Sequence, residues 1–490
     1  MELKATASAR KILILQSSSN MVKKTIRSGL NLLEKYFGTS ILLAIPDHLL
    51  EVEPEMFPAI NTAYDLKRLG LIKEIKEIPK LPDEPSVHIV SAIGANSGGA
   101  DFFSREKSYW KALGETVERY LWRSSDFFYR QTIERKKYSE IKNEVVDIFE
   151  LAGFSNEQKK NIDVLKFDEK TVFGWIPARS IVSGKKILCP AQLASAKYFE
   201  ENVKTDRHEN RNEPMLRWAV TTGIATGQSL EEAHVKGILE VIERDAFMIS
   251  YLNKLSPPIV DLDNLAEQDS GLEKILKNFE RYNLEAHLLQ LPTDFPIHVY
   301  LAIVIDRTGL GPAMSVGASA DFELKTCLLD GLAEALTVRI HLKKSFREES
   351  GPSEKLDRRG RLLWWAKEEN ISTIDFFLRG EKIKLDLEKE KSIFSESSEK
   401  YSRRKYYAEK LDLLKKYLRE KKYEAIYSEL TDPNIRKLGF RSVQVLIPDL
   451  QPMHLYESIP YFGGKRLKEI PQKLGYKDAE ELNKVPHPFP

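Results

Sequence analysis

The sequence predicts an α/β (α+β) fold in which mixed sheets pack against helices and one unit is internally duplicated. Three observations carry this. A strand, a small-residue turn and a helix follow one another three times along the chain. The first two of those helices hold the same pentapeptide, Glu-x-x-Glu-Arg. The 490 residues are 42% hydrophobic and 30% charged, enough apolar side chain for a large core. With 25 Gly and 23 Pro the chain is too poor in both for a collagen-like or disordered protein. A formal charge of +2 gives no global basic field, so neither nucleic acid nor a membrane surface is expected as a partner. Two cysteines, Cys189 and Cys327, cannot build a disulfide framework or a Cys-rich zinc site. No apolar run reaches the ~18 residues of a membrane span. The run Ile12–Leu15 is shorter than the ~7 residues of a signal-peptide core. A cytoplasmic location is the resulting expectation.

Taken in order, residues 11–90 read as a small αβ unit. Lys11–Leu15 and Ser40–Ile45 are strand-like, and Asn20–Phe37 places Ile26, Leu30, Leu33 and Phe37 on one helical face. The Pro-rich stretch Pro79–Pro85 reads as a hinge, which sets an N-terminal extension at 1–85 and a main domain at 86–490. Ser86–Ile93 reads as a strand, Ala95–Ala100 as a small-residue turn, and Ser104–Trp122 as a helix. The order recurs with the turn Thr221–Gly227 and a helix over Ser229–Leu252, whose start is marked by the capping-box spacing of Ser229 and Glu232. It recurs again with the strand His298–Asp306, the glycines Gly309, Gly311 and Gly317, and a helix over Asp321–Lys343. Residues 383–400 read as an exposed loop. The next helix carries the stripe Tyr407, Leu411, Leu414 and Leu418. It also has ten Lys/Arg against three Asp/Glu between Lys400 and Lys422, either a solvated face or a patch for an acidic peptide. Ser442–Ile447 is the final strand, and the chain ends Pro486-His487-Pro488-Phe489-Pro490.

The two pentapeptides are Glu115-Thr116-Val117-Glu118-Arg119 and Glu240-Val241-Ile242-Glu243-Arg244. Residues i, i+3 and i+4 neighbour one another on a helix, so each copy groups two carboxylates with a guanidinium. One reading is a surface Glu–Arg pair, which contributes about 0.3–0.5 kcal/mol. The other is a Mg-nucleotide site. Both copies lie among apolar residues and follow a Gly-rich turn, where free N–H groups at a helix start favour an anion. Four carboxylates in one cleft require cations between them, and hard oxygen ligands suit Mg2+. Four Glu and two Arg carry −2. A nucleoside triphosphate adds roughly −4, and two Mg2+ return the site to about −2. There is no P-loop sequence and no His-Glu-x-x-His pair; the nine His are scattered, and His234 reads as a packing or surface residue.

These residues resemble the YcaO family, over roughly Ser86–Pro490. The likeness runs through Ala112–Arg119, Gly223–Gly227, Gly331–Arg339, Leu430–Pro433, Leu438–Phe440 and Ile447–Pro452. The last five residues fit the P-x-P-x-P tail of the azoline-forming YcaO cyclodehydratases of ribosomal peptide pathways. The resemblance implies a YcaO-like fold and a reaction that turns Cys, Ser or Thr of a precursor peptide into thiazoline or oxazoline by ATP-dependent phosphorylation of the backbone amide oxygen. It implies ATP and Mg2+ as cofactors, with Glu115, Glu118, Glu240 and Glu243 as metal ligands. Arg119, Arg244 and Arg339 would neutralise phosphate, Glu232 would be a further site carboxylate, and the Pro490 carboxylate would accept a proton. Glu232 is equally explained as a capping residue. The implied partners are a precursor peptide with leader and core and an E1-like leader-binding protein, with room for a flavin dehydrogenase in a homodimeric or hetero-oligomeric complex.

The chain departs from the family pattern at Lys111, Ala225, Gln228, Lys236 and Thr337. The two lysines either strengthen anion binding or fill the site of a subunit that no longer turns over ATP. A silent scaffold is therefore one competing reading; a thioamide- or amidine-forming enzyme is another, which the P-x-P-x-P ending argues against.

Overall fold

The computed structural model describes residues 54–124, 133–348 without 206, 207 and 209, 358–390, and 402–489 without 478. The expected strands at Lys11–Leu15 and Ser40–Ile45 and the helix between them lie outside these residues, as do most of the 383–400 loop and Pro490. The chain divides into two compact units, Met1–Gly70 and Leu71–Pro490. The described part of the first contains a helix, α1 (Phe57–Arg68), whose Ala59, Ala63 and Leu66 share a buried face.

The second unit holds three sheets. The first is antiparallel, β1 (Glu74–Ile78), β2 (His88–Ile93) and β3 (Ser97–Asp101), followed by α2 (Arg105–Ser124). A six-stranded sheet runs β4 (Glu134–Lys137), β5 (Val172–Ser180), β13 (Ile426–Glu429), β14 (Arg441–Leu446) and β7 (Ile224–Gly227), with β6 (Lys186–Pro190) paired to β5. From β7 the chain enters α3 (Leu230–Leu252). The third sheet has the order β11 (Met314–Asp321), β10 (His298–Asp306), β9 (Leu284–Gln290), β8 (Ile259–Val260) and β12 (Lys382–Ile383), and β11 leads into α4 (Leu324–Glu348). Two further helices matter below, α5 (Arg358–Trp365) and α6 (Arg403–Lys421). Mixed sheets with helices against them are as the sequence predicts.

Two expectations need correction. Pro79–Pro85 is no hinge: it joins β1 to β2 as a hairpin, with Ile78 opposite Ile89. Glu84 within it is buried and tied to Arg339 and Lys343. The small-residue turns are also largely strand. Ser97–Asp101 pairs with β2, Met314–Asp321 pairs with β10, and Ile224–Gly227 pairs with β14, far away in sequence. The glycines there signal close packing rather than a turn. A Cβ on Gly99 would sit 2.7 Å from the Cβ of Lys111; on Gly227, 2.7 Å from that of Glu232; on Gly317, 2.7 Å from that of Glu334. Each helix therefore lies directly against the strand before it, a fit that only a missing side chain permits.

The central helix is α3. Ser229 caps it, its hydroxyl accepting from Glu232 N–H at 3.2 Å. Seventeen of its 23 residues are buried, so it is apolar nearly all round and runs through the core instead of over it. Ile238, Ile242, Phe247 and Met248 are fully buried, each contributing about 1.5–3 kcal/mol. Helix α6 packs on it through Leu411, Leu414 and Leu418, three members of the predicted stripe.

Candidate functional site

Each repeat holds the first glutamate of its motif against its own strand. Gly98 N–H donates to Glu115 Oε2 at 2.7 Å, and Gly223 N–H donates to Glu240 Oε2 at 3.0 Å. In the third repeat Ala318 N–H donates to Glu334 Oε2 at 2.9 Å. The second glutamate reaches across to the next repeat. Thr226 N–H donates to Glu118 Oε1 at 2.7 Å, and the Ala320 N–H on β11 holds Glu243. Three repeats thus interlock around one acidic cleft, lined by Glu115 and Arg119 of the first pentapeptide and Glu240 and Glu243 of the second, with Glu118 and Arg244 behind its walls. The glycine-rich segments spend their N–H groups on glutamates. They do not offer them to an anion at a helix start, as the turn reading expected.

The guanidinium groups sit within this ring. Arg119 Nε donates to Glu115 Oε1 at 2.8 Å. Arg244 spans Glu243 at 2.5 Å and Glu240 at 3.4 Å. Even so the cleft is short of positive charge. Burial, followed by repulsion from Glu240, pushes the Glu118 carboxyl up to about 8 despite Lys236 and the Thr226 N–H. Burial raises Glu243, Glu240 and Glu334 as well; Arg244 opposes this in each case, and neighbouring carboxylates add to it. Hard oxygen donors crowded together in a buried site, each raised by desolvation, are the donor set that Mg2+ fits. These residues match the group the resemblance implies.

The cleft has two lobes with Lys111 and Asp330 on the walls of both. The larger, about 790 Å³, is lined by Gly98, Glu115, Arg119, Glu334 and His341. The smaller, about 450 Å³, is lined by Trp110, Glu232, Glu240, Glu243, Arg403 and Tyr407. Lys111 Nζ donates to Asp330 Oδ1 at 2.8 Å and to the Ala100 carbonyl at 2.9 Å. Lys236 pairs with Glu232 at 2.8 Å. Both lysines that break the family pattern are therefore partnered.

Glu232 stands at its helix start, accepting from Gln228 N–H at 3.1 Å, and on the wall of the smaller lobe. Burial would raise its carboxyl, but the Arg403 fork at 2.7 and 2.9 Å, together with Lys236, holds it at about 2. Arg339 is a correction. Its guanidinium is buried and fully engaged, with Glu84 at 2.9 Å, Asp306 at 2.7 Å and the Pro312 carbonyl at 2.8 Å. It lines neither lobe and serves as a strut behind the third sheet.

The tail comes to the same region. Tyr251 Oη and Trp365 Nε1 donate to the Pro486 carbonyl at 2.9 and 2.8 Å. Arg361, wholly buried on α5, donates to the Phe489 carbonyl at 3.1 Å. The Phe489 ring lies 4.0 Å from the Arg244 guanidinium carbon, so the last described residue touches an arginine of the second pentapeptide.

Sequence reasoning underweighted Glu334, Asp330, Arg403 and His341. For Glu334 a signal existed: Gly98–Glu115 and Gly223–Glu240 are 17 residues apart, and Ala318–Glu334 is 16. Arg403 carried none, since it comes from a helix remote in sequence.

Comparison with known proteins agrees with this geometry. Residues 102–451 match the family described as YcaO cyclodehydratase, ATP- and Mg2+-binding. An uncharacterized protein of Methanothermobacter thermautotrophicus is 25% identical over 313 residues, 61% of this chain and 70% of that one. Among solved structures, a heterocyclase in complex with substrate and cofactor superposes with a TM-score of 0.68 at 19% identity over 87% of this chain. This chain spans only 57% of that heterocyclase. The Methanopyrus kandleri YcaO bound with AMPPCP and Mg2+ gives 0.53 at 15% identity, covering 83% of this chain and 95% of that one. The E. coli microcin synthetase McbBCD complex with pro-MccB17 bound gives 0.58 at 16%, covering 85% and 96%. No helix among the described residues is long and apolar enough to cross a membrane. An acidic cleft built from two Glu-x-x-Glu-Arg helices, matched along more than two thirds of the sequence, makes this chain a member of the YcaO family of ATP-dependent enzymes, with ATP and Mg2+ as its cofactors.

Proposed function

We propose that the chain is the cyclodehydratase subunit of a cytoplasmic peptide-modifying complex, forming thiazoline or oxazoline rings from Cys, Ser or Thr of a ribosomal precursor peptide. One observation carries the reading: the P-x-P-x-P tail is gripped by Arg361 and Trp365 and lies against Arg244 at the edge of the carboxylate cleft. Glu115, Glu118, Glu240 and Glu243, joined by Glu334, would hold Mg2+, and Arg119 and Arg244 would face phosphate. Bound ATP and Mg2+ supply a phosphoryl group that makes the amide oxygen of the peptide a leaving group. The residues of this chain orient the reacting groups and neutralise developing charge, which is most of the catalysis in such transfers. The Pro490 carboxylate would accept a proton as the azoline forms. A leader-binding partner is part of the reading, as is a homodimeric or mixed assembly with room for a flavin dehydrogenase. The microcin synthetase complex with its pro-peptide supports this by analogy.

The Lys111–Asp330 ion pair on the wall common to both lobes favours one second reading, a scaffold subunit without ATP turnover. One experiment separates the two. The chain is incubated with partner, precursor peptide and Mg-ATP, and the peptide mass is followed. The cyclodehydratase loses one water per ring, and Glu243→Gln loses none while keeping its fold. No mass change with the intact chain leaves the scaffold, and full activity in Glu243→Gln removes the metal assignment.

A further inference from the structure

Counting protons exposes a gap in the proposed reaction. When a Cys thiol or Ser/Thr hydroxyl closes on the preceding carbonyl carbon, a C–S or C–O bond forms and the carbonyl π pair moves to oxygen. That oxygen then bonds to the γ-phosphorus of ATP as the bond to ADP breaks, and phosphate finally leaves as the C=N bond forms. The peptide loses one oxygen and two hydrogens: the side-chain proton during closure and the amide proton during elimination. The Pro490 carboxylate would take one of these protons, and the other can pass to an acceptor beside the ring-forming side chain.

The larger lobe contains one. His341 lies on its wall, and among the described residues no other histidine lines either lobe. Its Nδ1 is 2.9 Å from the Thr337 carbonyl, one turn back on α4. A carbonyl only accepts, so Nδ1 carries the hydrogen, and in the neutral ring Nε2 keeps its lone pair. The backbone bond thus fixes the tautomer a base needs. Desolvation lowers the affinity of the ring for a proton more than the Thr337 carbonyl and Glu115 raise it. Glu334, Val338 and His341 follow at i, i+4 and i+7 on the wall of one lobe. The imidazole therefore stands two turns, about 10 Å, along α4 from the carboxylate ring. That offset separates the phosphate end of the cleft from a place where the amide can sit. Leu362 lines the same lobe, and its neighbour Arg361 donates to the Phe489 carbonyl of the tail.

Building on the cyclodehydratase reading, we propose that His341 is the catalytic base that takes the side-chain proton at Nε2 as the ring closes, leaving the amide proton to the terminal carboxylate. The test uses the full complex with precursor peptides carrying a single ring-forming Cys or a single Ser, with Mg-ATP. His341→Ala and His341→Gln are expected to lower kcat by at least about 10²-fold while the KM values for peptide and ATP stay within about threefold. The loss should be larger for the Ser core, since a hydroxyl is far harder to deprotonate than a thiol. Free imidazole should restore part of the turnover of His341→Ala, because the chamber is roomy enough to admit it. Turnover within about threefold of the unmodified complex overturns the inference. So does a loss that is equal for both cores and unrescued by imidazole, which would mark His341 as structural. If the unmodified complex itself forms no ring, the cyclodehydratase reading fails and this inference falls with it.

Discussion

Glu118→Gln separates the cost of the acidic cleft from its use. The glutamine can still accept the Thr226 N–H, so the exchange removes charge and little else. In the folded chain the carboxyl is pushed from its ordinary 4.5 to about 8, so it is protonated where the unfolded chain is ionised. A raised carboxyl makes the folded state bind more protons, and stability then falls as pH rises between those two values. At about 1.4 kcal/mol per pH unit, Glu118 removes about 3 kcal/mol between pH 5.5 and pH 8. For a unit of some 400 residues that is a fall in Tm of about 3–4 °C. The glutamine variant lacks this term. With chelator present, its Tm should exceed that of the unmodified chain by more at pH 8 than at pH 5.5. Saturating Mg-ATP should reverse the order, because the cation repays the ionised carboxylate and has less to gain from an amide. A variant destabilised equally at both pH values, and stabilised by Mg-ATP as much as the unmodified chain, would refute the reasoning.

Other consequences follow from packing and from the tail. Gly317→Ala places a methyl 2.7 Å from the Glu334 Cβ and against the backbone of α4, so it should cost about 1–3 kcal/mol in thermal unfolding and weaken Mg-ATP binding by moving Glu334. An unchanged Tm would show that helix and strand are not in the close register described. Arg361→Ala leaves the carbonyls of Leu455 and Phe489 without their donor. It should slow ring formation more than tenfold with nucleotide affinity little changed, read by peptide mass spectrometry beside ATP titration; equal losses in both would place Arg361 outside tail positioning. Deleting Pro490 should show the same split, and an unchanged rate would discredit the terminal carboxylate.

The residues of the cleft were legible where chemistry repeats locally. The duplicated pentapeptide, the Ser229 cap and the stripe of α6 each depend on neighbours a few residues apart; the cap forms, and Leu411, Leu414 and Leu418 of the stripe are buried. What stayed hidden depends on distance. Nothing near Gly223–Gly227 announces β14 as its partner, more than 200 residues away. Arg339 sits where a motif-based reading expects a phosphate ligand, yet Glu84 and Asp306 claim it because the β1–β2 connection folds over α4. Small residues were read as turns since glycine serves both turns and tight packing, and only the opposing helix tells the two uses apart. His341 could not be singled out from sequence, because its tautomer is set by its own helix and its value by a chamber assembled from the first and third repeats.

The central claim is that carboxylates from separate repeats jointly hold the cation of a nucleotide. Its most direct measurement is Mn2+ binding in place of Mg2+, followed by paramagnetic resonance with ATP present, in the unmodified chain and in Glu118→Gln and Glu243→Gln. The expected result is protein-bound Mn2+ that requires ATP and weakens by more than about tenfold in each variant. Mn2+ bound with undiminished affinity in both variants would contradict the account.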